Sequence, residues 1–392
     1  MAIERPYTNG SGSSAGTATN AQAIERLSHI SLGDLEAVRL LLQGGSVIDW
    51  HRLALRDLDD VDRFLRVNEF RPGDPKDLER LEYLRAEAVE YLQRNFDFRI
   101  PDEIVEHIPV RDLFLVASRK TKRQLFACIV LKVMHIIHHL YGRQLLHQLP
   151  ISEQEVFRLV ERKVVRVVEE LRGAGHPITE VEWSRKPHDS LITKLMAKRS
   201  TLAANVYDKL RFRLVVKERD DLLPLLVDMQ QRLIPFNYVV PGETVNDLVP
   251  LKHIVEHHAT LATLVPQLQN EFDAKDGEHI ERANEFSGPS YRVVNFVADM
   301  PVRLDEFLCR VGTPTDGDYG QIVFVLTEFQ LLDAKQAQAN ELGENSHEKY
   351  KERQRARVKL RLTRGLPVER PVTAPDGSPT SPGGRSGDRD DE

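Results

Sequence analysis

Ile322-Val-Phe-Val-Leu-Thr-Glu-Phe-Gln330 decides how this chain is read: an apolar run, Ile322 to Leu326, ends in a carboxylate and an amide two residues apart. Its β-branched and aromatic content predicts a strand that carries Glu328 and Gln330 to its end. Ser346-His-Glu-Lys-Tyr-Lys351 follows it. A second acidic strand lies upstream in Asp208-Lys-Leu-Arg-Phe-Arg213, where Leu210, Phe212 and Leu214 take one parity and Arg211 and Arg213 the other. Two carboxylates from neighbouring strands can hold Mg²⁺ over a nucleotide, and in-strand arginines suit its phosphates.

The rest of the composition sets limits on function. With 392 residues and 41% hydrophobic content, the chain can build two domains, or one domain with extensions, around a real core. A formal charge of −6 excludes a general nucleic-acid coat, so any basic surface is local. Cys128 and Cys309 are the two cysteines, which excludes a disulfide framework and a Cys-rich zinc site and points to a reducing, cytoplasmic compartment. Met1 to Asn20 lacks the basic-then-apolar order of a signal peptide and reads as a disordered leader. The apolar run Leu125 to Val133 is broken by Lys132 and reads as too short to span a bilayer, so a soluble protein is expected.

Apolar spacing divides the chain. From Ala23 to Leu149 it is helical, with faces expected at Leu35, Val38, Leu41 and Leu42, at Leu81, Leu84, Ala88 and Tyr91, and at Leu125, Ile129, Val133 and Ile136. A further helix starts with Ser152 and Glu155 in capping-box spacing, carries Phe157, Val160, Val164, Val167 and Leu171 on one face, and stops near Gly173. Beyond Ile178, strands are expected at Leu210 to Val216, Tyr238 to Val240, Val293 to Val297 and Ile322 to Leu326, with helices between them and at Ala334 to Leu342. The expected division is a leader over 1–22, a helical domain over 23–150, an α/β domain over 151–351, a basic helix over 352–364 and a disordered tail over 365–392. Lys349 to Arg364 holds eight Lys or Arg against Glu352, a local charge of +7 that suits either a solvated helix or contact with phosphate or RNA.

Order and spacing, more than any one motif, connect these pieces. Lys186 precedes Ser190 by four residues and Lys194 follows it by four; Asp208 lies 18 residues after Ser190, with Arg213 five beyond. Glu328 lies 19 residues ahead of His347, which opens His347-Glu-Lys-Tyr-Lys351. In this the stretch from Phe157 to Lys351 resembles the nucleotidyltransferase domain of the RelA/SpoT alarmone synthetases. The resemblance implies an α+β fold, a mixed β-sheet flanked by helices, here preceded by an all-helical N-terminal domain. It also implies Mg²⁺-dependent transfer of the β,γ-pyrophosphate of ATP to the 3′-hydroxyl of GDP or GTP or, as in some relatives, to an RNA end.

By that resemblance Asp208 and Glu328 ligate the metal and carry catalysis, and Lys186, Lys194, Arg213, Arg211 and Arg185 bind ATP. Tyr291, His347 and Gln330 line the acceptor side. This chain departs from the family pattern at Ser184 and Leu332, where the family has Arg, and at Asn295, where it has His. Those departures leave two other readings, a nucleotide-binding regulatory protein that kept the fold without the chemistry, and a tRNA 3′-end pyrophosphokinase using the basic segment.

Other chemistries find less support. His188-Asp189 is the one His-Asp dipeptide and falls inside the expected ATP loop, so a His-Asp hydrolase is not indicated. P-loop and Gly-x-Gly-x-x-Gly patterns do not occur, and the one Gly-x-Ser-x-Gly match, Gly12-Ser-Ser-Ala-Gly16, falls in the leader. His135, His138 and His139 on one helix, and His253 and His257 on another, read as packed or surface residues rather than metal ligands.

Overall fold

Strand parity built the sheet. In β2 (Leu210–Val216), Leu210, Phe212 and Leu214 are fully buried while Arg211 and Arg213 remain partly accessible, the alternation expected of a strand with two unlike faces. The computed structural model describes residues 27, 30–43, 53–197, 210–258, 261–264, 290–312, 319–342 and 347–363. The leader at 1–22, the tail at 365–392 and Asp208 lie outside them.

The described elements, in chain order, start with α1 (Leu32–Gln43), α2 (Leu58–Val67), α3 (Pro75–Phe96), α4 (Val110–Ser118), α5 (Gln124–Gln148) and α6 (Glu153–Gly173). Then come β1 (Ile178–Arg185), α7 (His188–Ala197), β2, α8 (Leu222–Arg232), β3 (Val245–Asn246), α9 (Leu251–His257) and β4 (Val294–Arg303). Last are α10 (Asp305–Val311), β5 (Ile322–Asp333), α11 (Ala334–Glu341) and α12 (His347–Leu362). The strands form one mixed sheet in the order β1-β2-β5-β4-β3, with β2 and β5 parallel and the other pairs antiparallel.

One face of the sheet is closed by a single core. Phe212, Phe296 and Phe329 stack across three strands, with ring centroids 5.7 and 5.4 Å apart. Helices α1, α6 and α8 cover them with Leu35, Val38, Val160, Val164, Leu226 and Met229. Helix α6 begins as its sequence dictates: the Ser152 hydroxyl accepts from the Glu155 amide and the Glu155 carboxylate accepts from the Ser152 amide.

The other face is divided. Helices α2 to α5 sit on Ile322 and Phe324 of β5, so the N-terminal helices share a core with the sheet, and the described residues show no packing break at residue 150. Gly142 permits this contact, since a Cβ there would lie 2.5 Å from the Phe324 ring and 2.6 Å from the Ile322 carbonyl oxygen. Arg303 of β4 fastens the same junction. It donates to both carboxylate oxygens of Asp77 on α3, at 2.7 and 2.8 Å, to the Glu69 carbonyl and to Asp305.

Several expectations need correction. Helix α5 buries Ala127, Val130, Leu131, Met134, His138 and Leu145, while Leu125 and Ile136, expected on its core face, are exposed. This helix is apolar on most sides, so periodicity could not choose the face, and Gly142 draws the small-residue side onto β5. At 25 residues it is also long and apolar enough to cross a membrane by length and composition, contrary to the reading of a short interrupted run. Tyr91, expected in the core, is 41% exposed. Tyr238 to Val240 is no strand: Phe236–Tyr238 is a 3-10 turn, Val239 makes a single bridge to Ala298, and β4 pairs instead with the short β3. The basic helix starts at His347, five residues before the expected boundary.

Candidate functional site

Beyond Phe324, the divided face opens. On β5 the side chains of Leu326, Glu328 and Gln330 are partly accessible, flanked by buried Thr327 and Phe329 of opposite parity. Register then brings four of the expected residues together: Arg211 is opposite Glu328, and Arg213 is opposite Gln330. On the far side of β5, Val297 pairs with Glu328 and Asn295 with Gln330. On β1, Ser184 pairs with Arg211 and Glu182 with Arg213.

Within this patch the amide of Gln330 donates to Glu328 Oε1 at 3.3 Å, which steadies the carboxylate. Arg213 donates to Glu182 and to Glu341, each at 3.2 Å. Both glutamates are exposed, so these pairs are screened and worth less than about 1 kcal/mol each. A polyphosphate can displace them. Neither glutamate was found by sequence reasoning; β1 register was the hidden signal for Glu182, and nothing local marked Glu341.

Tyr291 packs against Val215, Val293, Leu332 and Ala337 at the edge of the patch. Burial raises its phenol pKa, with Glu328 pushing the same way and Arg211 and Arg213 opposing, so all three charges are its neighbours. Lys186 directly follows β1 and Lys194 lies on α7, which packs against α12 through Met196, Ala197, Tyr350 and Val358. His347 is the first residue of α12; its side chain lies outside the described residues, as does Asp208.

Arg185 does not share this face. It pairs with Leu210 in the register, which puts it on the α6 side of the sheet. There it forms a forked ion pair with Glu161 at 2.7 and 2.8 Å, and this hydrogen bonding raises its pKa. Its parity differs from that of Ser184 by one residue, which is enough to remove it from the arginines of β2.

Among the described residues, no group of three or more His, Cys, Asp or Glu could hold a metal ion. Mg²⁺ asks for less, since it keeps several waters and takes one or two carboxylates beside substrate phosphates. An accessible Glu328 among arginines fits that requirement. The His253 and His257 rings stack at 4.1 Å, with His257 Nδ1 bonded to the His253 carbonyl.

No family model matches the chain, and no curated protein matches it. Among solved structures it is similar to small alarmone synthetase 1 from Bacillus subtilis, at 15% identity over 53% of this chain and 86% of that one, with a TM-score of 0.28. It is also similar to small alarmone synthetase 2 from Bacillus subtilis, at 13% identity over 54% and 94% of the two chains, with a TM-score of 0.29. A GTP pyrophosphokinase family protein from Streptococcus pneumoniae matches at 14% identity over 54% and 90%, with a TM-score of 0.28.

Proposed function

We propose that this chain is a RelA/SpoT-like pyrophosphokinase that transfers the β,γ-pyrophosphate of ATP to the 3′-hydroxyl of a nucleotide. The observation that carries the reading is the β2/β5 register, in which Arg211 faces Glu328 and Arg213 faces Gln330 on the accessible part of the sheet. Transfer to a hydroxyl needs a base, cations around the phosphates and fixed positions, and little covalent chemistry from the protein.

The acceptor oxygen forms a bond to Pβ of ATP as the bond from Pβ to the oxygen bridging it to Pα breaks, and AMP leaves with that oxygen. Glu328 accepts the proton of the attacking hydroxyl, held in place by the Gln330 amide. Arg211, Arg213, Lys186 and Lys194 offset the charge of the phosphates, and Tyr291 offers a ring edge to the acceptor base. Mg²⁺, held by Glu328 and Asp208, would supply charge neutralisation at the phosphates. The reaction belongs in the cytoplasm, where its nucleotides are.

A second reading, with an RNA end in place of a free nucleotide as the acceptor, has one observation behind it. Helix α12 buries Gln354 and Val358 and leaves Lys349, Arg355, Arg357, Lys359 and Arg361 exposed beside α7. The experiment is incubation of the protein with γ-labelled ATP and Mg²⁺, alone and with GDP, GTP, ADP or bulk tRNA, beside Asp208→Ala and Glu328→Gln. A labelled product from one acceptor, lost in both variants, establishes the activity and names the acceptor. No product with any acceptor refutes it and leaves a diverged nucleotide-binding protein.

A further inference from the structure

Of the cations assigned above, Arg211 and Arg213 lie on β2 and Lys186 directly follows β1, all on one side of Glu328 in the strand order. Pyrophosphate transfer between two nucleotides brings two anions together, and the second also needs a positive wall. Of the two arginines of β4 and its approach, Arg303 is locked by Asp77 and Asp305, and Arg292 donates to the Tyr291 carbonyl. The N-terminal helical layer brings a further cation to β4, Arg143 beside Asp299.

Asp299 of β4 is paired with Leu326, and Val297, two residues before it, is paired with Glu328. Asp299 is thus the diagonal neighbour of Glu328 on one sheet face, a separation of about 7–8 Å that long side chains span. His139 Nε2 lies 2.7 Å from Asp299 Oδ2, and Arg143 Nη1 lies 3.5 Å from the same oxygen. Asp299 is buried, whereas the Arg143 side chain is 41% exposed. Asp299 Oδ1 has no hydrogen-bond partner among the described residues, so Arg143 keeps Nη1 beside this buried carboxylate, and the rest of its half-exposed guanidinium is left to meet an anion.

We infer that Arg143, supplied by the N-terminal helical layer, binds the 5′-diphosphate of a nucleoside diphosphate on the β4 side of Glu328. The inference rests on the proposed function for the identity of the second nucleotide and gives the helical region a direct part in the site. A forked guanidinium suits a diphosphate, and Lys keeps the charge without the fork.

The test is equilibrium binding of GDP, ADP and Mg-ATP, each measured separately, to the full chain and to Arg143→Gln and Arg143→Lys, with melting temperatures to check folding. The expected result is at least about a tenfold weaker nucleoside diphosphate in Arg143→Gln, an intermediate value in Arg143→Lys, and Mg-ATP unchanged. Equal weakening of both nucleotides, unchanged diphosphate binding, or no diphosphate binding by the natural chain would overturn the assignment. Selective loss of the diphosphate in a protein that transfers no pyrophosphate would uphold Arg143 while refuting the proposed activity.

Discussion

Replacing Gly142 by alanine tests whether helix α5 lies against β5. In an ordinary helix interior the change gains about 0.8–1 kcal/mol, because alanine loses less backbone freedom. Here the new methyl would sit 2.5 Å from two carbons of the buried Phe324 ring and 2.6 Å from the Ile322 carbonyl, against the 3.4 Å at which ordinary contact begins. The ring is boxed in by His138, His139 and Tyr238 at centroid distances of 5.3, 4.7 and 4.5 Å, and the carbonyl belongs to the sheet. Relief must come from lifting α5, an overpacking cost of about 1–3 kcal/mol that exceeds the helical gain in all but its mildest form. Gly173, the last residue of α6, is the reference, because a methyl added there would meet no described atom within 4 Å. Urea titrations should therefore give a midpoint below that of the natural chain for Gly142→Ala and one at or above it for Gly173→Ala. If Gly142→Ala matched or surpassed Gly173→Ala, the close approach of the helical layer to β5 would be wrong.

Further outcomes follow from other contacts. Asp77→Asn removes one of the two carboxylates that hold buried Arg303 and leaves Asp305 in place, so it should cost about 1.5–3 kcal/mol by urea denaturation, the range for a hydrogen bond to a charged group. His138 is 5% exposed and neither ring nitrogen has a hydrogen-bond partner among the described residues; burial and then the charge of Arg80 hold its pKa well below 6.5. The unfolded chain binds a proton that the native state refuses, so this group's contribution is complete above pH 6.5. It is lost as pH falls, by up to about 1.4 kcal/mol per pH unit. Thermal melts between pH 5 and 8 should show a shallower acid slope in His138→Phe; an unchanged slope would contradict the burial argument. Glu328→Gln should lower transfer by at least about 100-fold with an unchanged melting temperature, as expected on losing a general base. If α12 contacts RNA, affinity for bulk tRNA should fall steeply with salt, and Arg355→Gln with Lys359→Gln should flatten that slope.

Alternation of residue types was sufficient to place β2 between Leu210 and Val216 and to set Arg211 and Arg213 apart from the core, because a strand has only two faces. The capping box at Ser152 and Glu155 likewise fixed the start of α6 locally. Such features depend on neighbours in the chain. What the tertiary structure decided depends on neighbours in space. Parallel pairing of β2 with β5 brought Arg211 to Glu328 across more than a hundred residues, and a one-residue difference in parity sent Arg185 to Glu161 on the other face. The side of α5 that is buried could not be read from a helix apolar on most sides; Gly142 and the Phe324 ring selected it by close approach. For the same reason the N-terminal helices, which had no role in the sequence, proved to be one wall of the sheet, where His139 and Arg143 meet Asp299.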